Sequence, residues 1–388
     1  MIGGQVVGGK QSLRILHAYK VYRPEVDGGI PEVIHTLTTP VSSDIESKVL
    51  VCRPRGLHRE YQLDGVPVSA CSSFGTLLSM PISPSYPASV ISQSTGVDIV
   101  VHHAPFPLND IAIAGLGKRK AVVVHWHAEI VGRHLLKMML APAIRNSLRR
   151  ADAIVVSHSA MIDDSDFLVP FRDKCVCIPY GVDLNFWTMQ PPDEQRLVAE
   201  LRSRHPRLVV AVGRLVPYKG YAVLLRALKG LNVHLVIFGE GPQLSELQRL
   251  ADELGVSGSV TFAGRRSREV IRQHLYAAKA MVLASISKAE AFGLVQAEAM
   301  GARLPVINTN LDTAVPWVAR DGIEGLTVQS GDPSGLREAV RRVLDDADLR
   351  ERLGEAGRRR AEAEFSRSVF RKRSFDLYRT IHAARTGR

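Results

Sequence analysis

Apolar residues in this chain come in short, nearly unbroken runs. In the first half they fall at 13–19, 48–52, 98–102, 121–125 and 153–157; in the second at 208–212, 233–238, 259–262, 280–284 and 305–308. Continuous runs of strand length mark strands covered on both faces, as in parallel sheets. Helix-like stretches separate them, and the alternation predicts a doubly wound α/β architecture. Residues 72–87, rich in Ser and Pro, predict a loop with little regular structure. Residues 133–150 (RHLLKMMLAPAIRNSLRR) predict a basic, apolar helix that Pro142 should kink or divide. Its apolar face suits packing on a sheet or lying in a membrane interface. A Gly-rich leader up to Ser12 is expected to be disordered, and a last helix is expected from about Ser366 to Ala384.

At 388 residues the chain accommodates two domains, each with its own core. Hydrophobic content of 45% and charged content of 23% are ordinary for a globular protein. A net charge of +11 is not ordinary; much of it is C-terminal, in Arg358-Arg359-Arg360 and Arg371-Lys372-Arg373. It suits an anionic bilayer surface better than nucleic acid, for which no binding motif or aromatic–basic array is present. Four cysteines make no disulfide framework in a chain this long; Cys175 and Cys177 alternate on a strand and should pack as small apolar residues. No run reaches transmembrane length and no secretory core is visible, so a cytoplasmic protein touching the inner face of the membrane peripherally is expected.

The candidate chemistry sits where strands run out into helices. Residues 285–300 (SISKAEAFGLVQAEAM) leave the run 280–284 and enter a helix near Gly293, with Glu290 in the loop and Glu298 eight residues on. A helix N-terminus presents unsatisfied N–H groups and partial positive charge, a natural anion site. Two carboxylates beside it cannot bind the anion but can accept hydrogen bonds from hydroxyls attached to it. A ligand with phosphates and many hydroxyls is a sugar nucleotide; alternatively, Glu298 simply solvates a helix face and Glu290 is an N-terminal acid. After the run 208–212 come Gly213-Arg214-Leu215-Val216-Pro217-Tyr218-Lys219-Gly220, whose Arg and Lys can grip a diphosphate without a metal ion. After the first strand, Gly28-Gly29 open a helix and allow close backbone approach. His125-Trp126-His127-Ala128-Glu129 ends another strand. Its H-x-H spacing, with His134 nearby, is compatible with zinc, but no carboxylate or thiolate completes a ligand set and no metal is expected.

GRLVPYKG, then Gly239-Glu240-Gly241-Pro242, then EAFGLVQAE, in this order and spacing, resemble the retaining glycosyltransferases of family four. The resemblance covers nearly the whole chain and is most specific between Arg214 and Glu298. One departure stands at Gly301-Ala302-Arg303-Leu304-Pro305, where Gly comes two places early. The resemblance implies the GT-B fold, two Rossmann-like doubly wound domains facing across a cleft. These would span 13–188 and 189–364, with 365–388 returning to the first domain. It implies Arg214 and Lys219 on the donor diphosphate, Glu290 on a sugar hydroxyl, and Glu298 on the ribose. The N–H groups of Ala291, Phe292, Gly293 and Leu294 would face sugar and phosphate. Gly213 and Gly241 would border the nucleotide, Arg266 would lie by the base, and Gly28 and Gly29 would approach donor phosphate or acceptor. His127, followed by Glu129, matches an H-x-D/E pattern that meets the donor sugar's 6-hydroxyl. Residues 127–131, and 311–316 leading to 325–328, further resemble bacterial mannosyl- and rhamnosyltransferases of O-antigen and exopolysaccharide synthesis, which use GDP-sugars. GDP-mannose and a lipid-linked saccharide acceptor are thus expected, with no cofactor. UDP-glucose or UDP-N-acetylglucosamine is the alternative donor, and a non-catalytic sugar-nucleotide binder the alternative class.

Overall fold

The structure, a computed structural model, describes residues 12–77, 80–129 and 134–387. The expectations for the leader up to residue 11, for Ile130-Val131 and for the His134 side chain lie outside what is described. By its internal contacts the chain divides into two units: Met1–Ile178 with Arg371–Arg388, and Pro179–Phe370.

The first unit is built on eight strands: β1 (Leu13–Ala18), β2 (Ile45–Cys52), β3 (Arg59–Leu63), β4 (Val66–Cys71), β5 (Ile99–Ala104), β6 (Ala121–Trp126), β7 (Ala153–Val156) and β8 (Cys175–Cys177). Their spatial order is β8-β7-β6-β5-β1-β2-β4-β3, parallel except for β3. Every residue of β5 and β6 is buried, which is why these strands read as continuous apolar runs. Successive side chains serve opposite faces: Leu50 and Cys52 join the core with Val100 and Val122, Val49 and Val51 the one with Tyr19 and Ile34.

Four expectations differ here. The antiparallel edge strand β3 was not anticipated; its signal was Asp64-Gly65, both at positive φ (49° and 79°), the two-residue turn a hairpin prefers. Residues 72–87 are less irregular than their composition suggests, because a short ladder pairs Thr76–Leu77 with Met80–Pro81 and a helix, Tyr86–Ser94, begins inside the stretch. The helix His134–Arg150 runs undivided through Pro142. Pro142 is exposed, so water can satisfy the carbonyl its missing N–H leaves unpaired. Of the two strand cysteines, Cys175 is half-buried, but Cys177 is exposed instead of packed.

The second unit carries six parallel strands: β9 (Leu208–Val212), β10 (His234–Phe238), β11 (Val260–Gly264), β12 (Ala280–Val282), β13 (Val306–Asn310) and β14 (Gly325–Gln329). The order is β11-β10-β9-β12-β13-β14. The chain moves outward one way from β9 and then the other way from β12. The crevice above these two strands is the switch point at which open α/β sheets bind ligands. In the first sheet the same reversal falls between β1 and β5.

Candidate active site

In the second unit the loops leaving β9 and β12 are the two that flank the switch point. In the first, Leu215 is fully buried and anchors the turn, its N–H donating to Glu240 O (2.9 Å) while its carbonyl accepts from Gln243 N (3.1 Å). Gly241 sits so close that a Cβ there would lie 2.3 Å from Leu215 O, so its glycine has a packing reason independent of any ligand. Gly220, at φ 67°, begins the helix Tyr221–Leu228, and a Cβ on it would meet Ala284 O at 1.9 Å. That contact, with Ile286 N donating to Tyr218 O (2.8 Å), seats the first loop against the second.

The second loop is held from below. Thr309 Oγ1 donates to Ser285 O (2.6 Å), and Ala314 N donates to Ala291 O (3.0 Å). The fully buried Gln296 amide donates to Phe292 O and Val315 O and accepts from Asn308 Nδ2. So fixed, the loop carries the buried carboxylate of Glu290. Its Oε2 accepts from Ser285 Oγ (3.0 Å) and stands 2.5 Å from Lys219 Nζ, both side chains about 11% exposed. Lys219 spans the two loops as one half of a nearly buried ion pair. Arg214 differs: it is exposed, and among the described residues its guanidinium makes no ion pair.

Gly293, left-handed at φ 72°, caps the helix Leu294–Gly301. Leu294, Val295 and Glu298 form its half-buried face, while Gln296, Ala297, Ala299 and Met300 are buried. The Phe292 side chain turns into the core against Tyr180 (centroids 5.2 Å) and Phe365 (5.8 Å), leaving only its backbone to meet a ligand. Arg266 is exposed beyond β11, and Gly264 O beside it accepts from Gly239 N (2.9 Å). Burial raises the Tyr221 phenol, and the Glu290 charge adds to this, so its hydroxyl stays protonated and donates to Gly213 O (3.0 Å).

In the first unit Gly28 caps the helix Gly29–Thr38, with open space where a Cβ on either glycine would stand. Asp27 Oδ1 accepts from Gly28 N and from Arg23, which also reaches Glu32 in the first helical turn. Sequence reasoning missed the surroundings of His127. His17 on β1, His103 on β5 and His125 on β6 crowd beside it, all buried, at the carboxyl edge of adjacent strands. Nothing in the sequence links positions so far apart. His17 Nδ1 meets His103 Nε2 at 3.1 Å, and His103 Nδ1 meets His127 Nε2 at 2.8 Å. His125 Nε2 contacts Tyr378 Oη at 2.7 Å. Burial holds His17 and His127 down at about 3, with Arg371 adding for His17 and His102 for His127; His103 and His125 are lowered further.

One ring nitrogen each from His103, His125 and His127 lie within 4.8 Å of one another, a set to test for a metal ion. Tetrahedral zinc at 2.0–2.1 Å needs ligand nitrogens about 3.3 Å apart and angled around the ion. The 103–127 pair instead meets end to end at 2.8 Å with its rings 8° from parallel, the geometry of a direct hydrogen bond. No room is left for an ion between those two atoms.

Comparison with known proteins gives the family. Residues 193–360 match the family described as glycosyl transferases group 1, and residues 28–186 match glycosyltransferase family 4. The D-rhamnosyltransferase WbpZ of Pseudomonas aeruginosa is 31% identical over 359 residues, 91% of each chain. The chain is a group 1 glycosyltransferase of family four. This family-four enzyme is also 27% identical to O-antigen chain mannosyltransferase C of Escherichia coli, over 95% of this chain and 99% of that one. It is 30% identical, over 66% of its length and 69% of the relative's, to a GDP-mannose-dependent α-(1-6)-phosphatidylinositol monomannoside mannosyltransferase of Mycolicibacterium smegmatis. Among solved structures, Anabaena Alr3699/HepE in complex with UDP superposes with a TM-score of 0.78 at 18% identity, covering 95% of this chain and all of the other. The fold is GT-B, with two Rossmann-like domains.

Proposed function

We propose that this glycosyltransferase moves mannose, with retention, from GDP-mannose to a lipid-linked saccharide in bacterial surface polysaccharide synthesis. One observation carries the catalytic reading: at the switch point of the second sheet, a nearly buried Lys219–Glu290 pair stands in the same loops as the exposed Arg214. Breaking the glycosidic bond leaves negative charge on a diphosphate and positive character on the sugar. Arg214 grips phosphate oxygens in its planar fork. Lys219 keeps one N–H on Glu290 and turns the others to the leaving phosphate. Glu290, oriented by Lys219 and Ser285, accepts a hydrogen bond from a sugar hydroxyl through its other oxygen. The N–H groups of 291–294 meet sugar and phosphate, Glu298 accepts from the ribose, Arg266 lies by the base, and Gly28 and Gly29 admit phosphate or acceptor closely. His127 is assigned to the sugar's 6-hydroxyl. With charge dispersed by these groups, no metal ion is needed. The acceptor hydroxyl attacks the face the phosphate leaves, the glycosidic bond breaking as its proton passes to an oxygen of the departing phosphate.

The choice of mannose is supported by the two mannosyltransferase relatives, and that of guanine by the GDP-mannose-dependent one; the rhamnosyltransferase relative and the UDP-bound fold neighbour keep other donors open. Thermal-shift measurement against GDP, UDP, ADP and dTDP, then the matching sugar nucleotides, decides between them. A ligand at one hundred times its Kd adds about 2.7 kcal/mol to the folded state, which is easily seen. Stabilisation by UDP and not GDP would remove the mannosyl reading. A product assay with a lipid-linked acceptor separates transfer from hydrolysis and from mere binding.

A further inference from the structure

In a trans peptide the C=O and the N–H point in opposite directions, so whatever grips the carbonyl also aims the N–H that follows it. The trans bond between Phe292 and Gly293 is gripped from inside the core. Gln296 Nε2, on a fully buried side chain, donates to Phe292 O at 3.0 Å and to Val315 O at 3.2 Å. It reaches back because a helical side chain leans toward the helix N-terminus. Its amide has one possible polarity. Two carbonyl oxygens face one end, which must therefore be the NH2 group. The other end, Oε1, accepts from Asn308 Nδ2 (2.9 Å), which also lies by Val315 O (3.1 Å) and Ala319 O (2.9 Å). Asn308 Oδ1 in turn accepts from Thr327 Oγ1 (2.8 Å). Side chains on β14 and β13 thus fix the polarity of a side chain on the helix Leu294–Gly301.

With Phe292 O turned to the core, the Gly293 N–H points away from it, and it has no hydrogen-bond partner among the described residues. Ala291 O, held by Ala314 N, aims the Phe292 N–H away from Ala314 by the same rule. Gly293 is left-handed (φ 72°, ψ 62°) and Leu294 is helical, a pairing that gathers successive N–H groups around one concavity. We infer that Gln296 is a positioning residue: backed by Asn308 and Thr327, it holds the 292–293 peptide so that the Gly293 N–H donates to the donor's diphosphate. An apolar side chain at 296 would leave Phe292 O buried and unpaired. The peptide relieves that by turning its carbonyl outward, and a carbonyl oxygen repels an anion. The identity of the anion rests on the proposed function; the orientation of the peptide does not.

The test uses the full-length protein labelled with carbon-13 at Phe carbonyls and nitrogen-15 in Gly, in which only Gly75, Gly239 and Gly293 follow a Phe. Phe74→Leu and Phe238→Leu identify the first two signals by removing them. Adding GDP, UDP or inorganic pyrophosphate should move the Gly293 amide proton downfield. If none of the three moves it, the inference is wrong, whether or not the protein transfers sugar. Gln296→Met keeps the volume and removes the donor; it should abolish that shift and weaken diphosphate binding about ten- to a hundredfold. The KM for the sugar nucleotide should rise to match. Thr327→Val, at the far end of the relay, disturbs the fold less and should weaken binding about two- to fivefold, which keeps the test open if Gln296→Met does not fold. A merely structural Gln296 would lower Tm and leave the Gly293 shift and the diphosphate affinity as in the wild type, and that result would overturn the inference. If Gly293 responds as expected but no sugar is transferred, the clamp stands and the catalytic reading falls.

Discussion

Arg214 and Lys219 lie five residues apart in one loop and have opposite surroundings, so removing each should do different things. Arg214 is exposed and without an ion pair among the described residues, so Arg214→Ala should lower turnover about a hundredfold or more while leaving Tm within a degree or so. Lys219→Ala strips the counter-charge from a carboxylate about 11% exposed. The uncompensated Glu290 should cost about 3 kcal/mol of stability in addition to the loss of turnover. Thermal unfolding alongside a transfer assay checks both; a Lys219→Ala protein as stable as wild type would show that the pair does not hold the two loops together. The sequence nominated both cations, because Arg and Lys in a loop between strand and helix are a legible pattern. It did not say which is spoken for, since the partner, Glu290, is 71 residues away and only the seating of one loop on the other decides that they touch.

Strands β1, β5 and β6 deliver four buried histidines to one edge, and the group makes a prediction about acid stability. Burial first, then neighbouring positive charge, holds His17 and His127 at about 3 in the folded state, against about 6.5 unfolded. Between those values the unfolded chain binds protons that the folded one refuses. The stability is therefore fully present above about pH 6.5 and drains away as pH falls toward 3. Lys20 and Tyr19 flank the group from the β1 side, Arg371 and Tyr378 from the last helix, and His102 from β5, bound to Asp110 of the helix Pro107–Ala114, and none of them offers the cluster a free carboxylate. Between pH 7 and 5 even one such histidine should remove about 2 kcal/mol. Urea midpoints measured across that range should fall steeply; a flat profile would mean the imidazoles are solvated or charged in the native protein. His125 and His127 were visible in the sequence as a strand-end pair. His17 and His103 read there as ordinary strand residues, because strand order is not written in any local pattern.

For the whole molecule the basic excess reads differently once folded. Much of the C-terminal charge that suggested a membrane surface is engaged internally. Arg371 donates to Thr36 O and Pro40 O, Arg385 pairs with Asp152, and Arg360 reaches the carbonyls of Trp317 and Val318. What stays outward on the helix His134–Arg150 is a stripe of Met138, Pro142, Arg145 and Arg149, with Met139 exposed beside it. Among the described residues no helix is long and apolar enough to cross a bilayer. If the protein docks on membrane, this stripe should carry it: sedimentation with phosphatidylglycerol-containing vesicles should be salt-sensitive and fall several-fold in a Met138→Glu, Met139→Glu variant. Equal binding to neutral and anionic vesicles, or none to either, would count against the idea.

Local physics was enough to determine a good deal. Apolar runs of strand length, each followed by helical spacing, specify parallel strands covered on both sides, and the motif loops between them mark where strands run out into helix N-termini. These signals lie within some twenty residues of one another, the range over which backbone geometry and period act. The order of the strands was out of that reach. It brings β9 beside β12 so that Lys219 finds Glu290, and β1 beside β5 and β6 so that four histidines share one buried edge. Those pairings depend on which hydrophobic faces exclude water together over long separations in the chain, and only the packed structure carries that information.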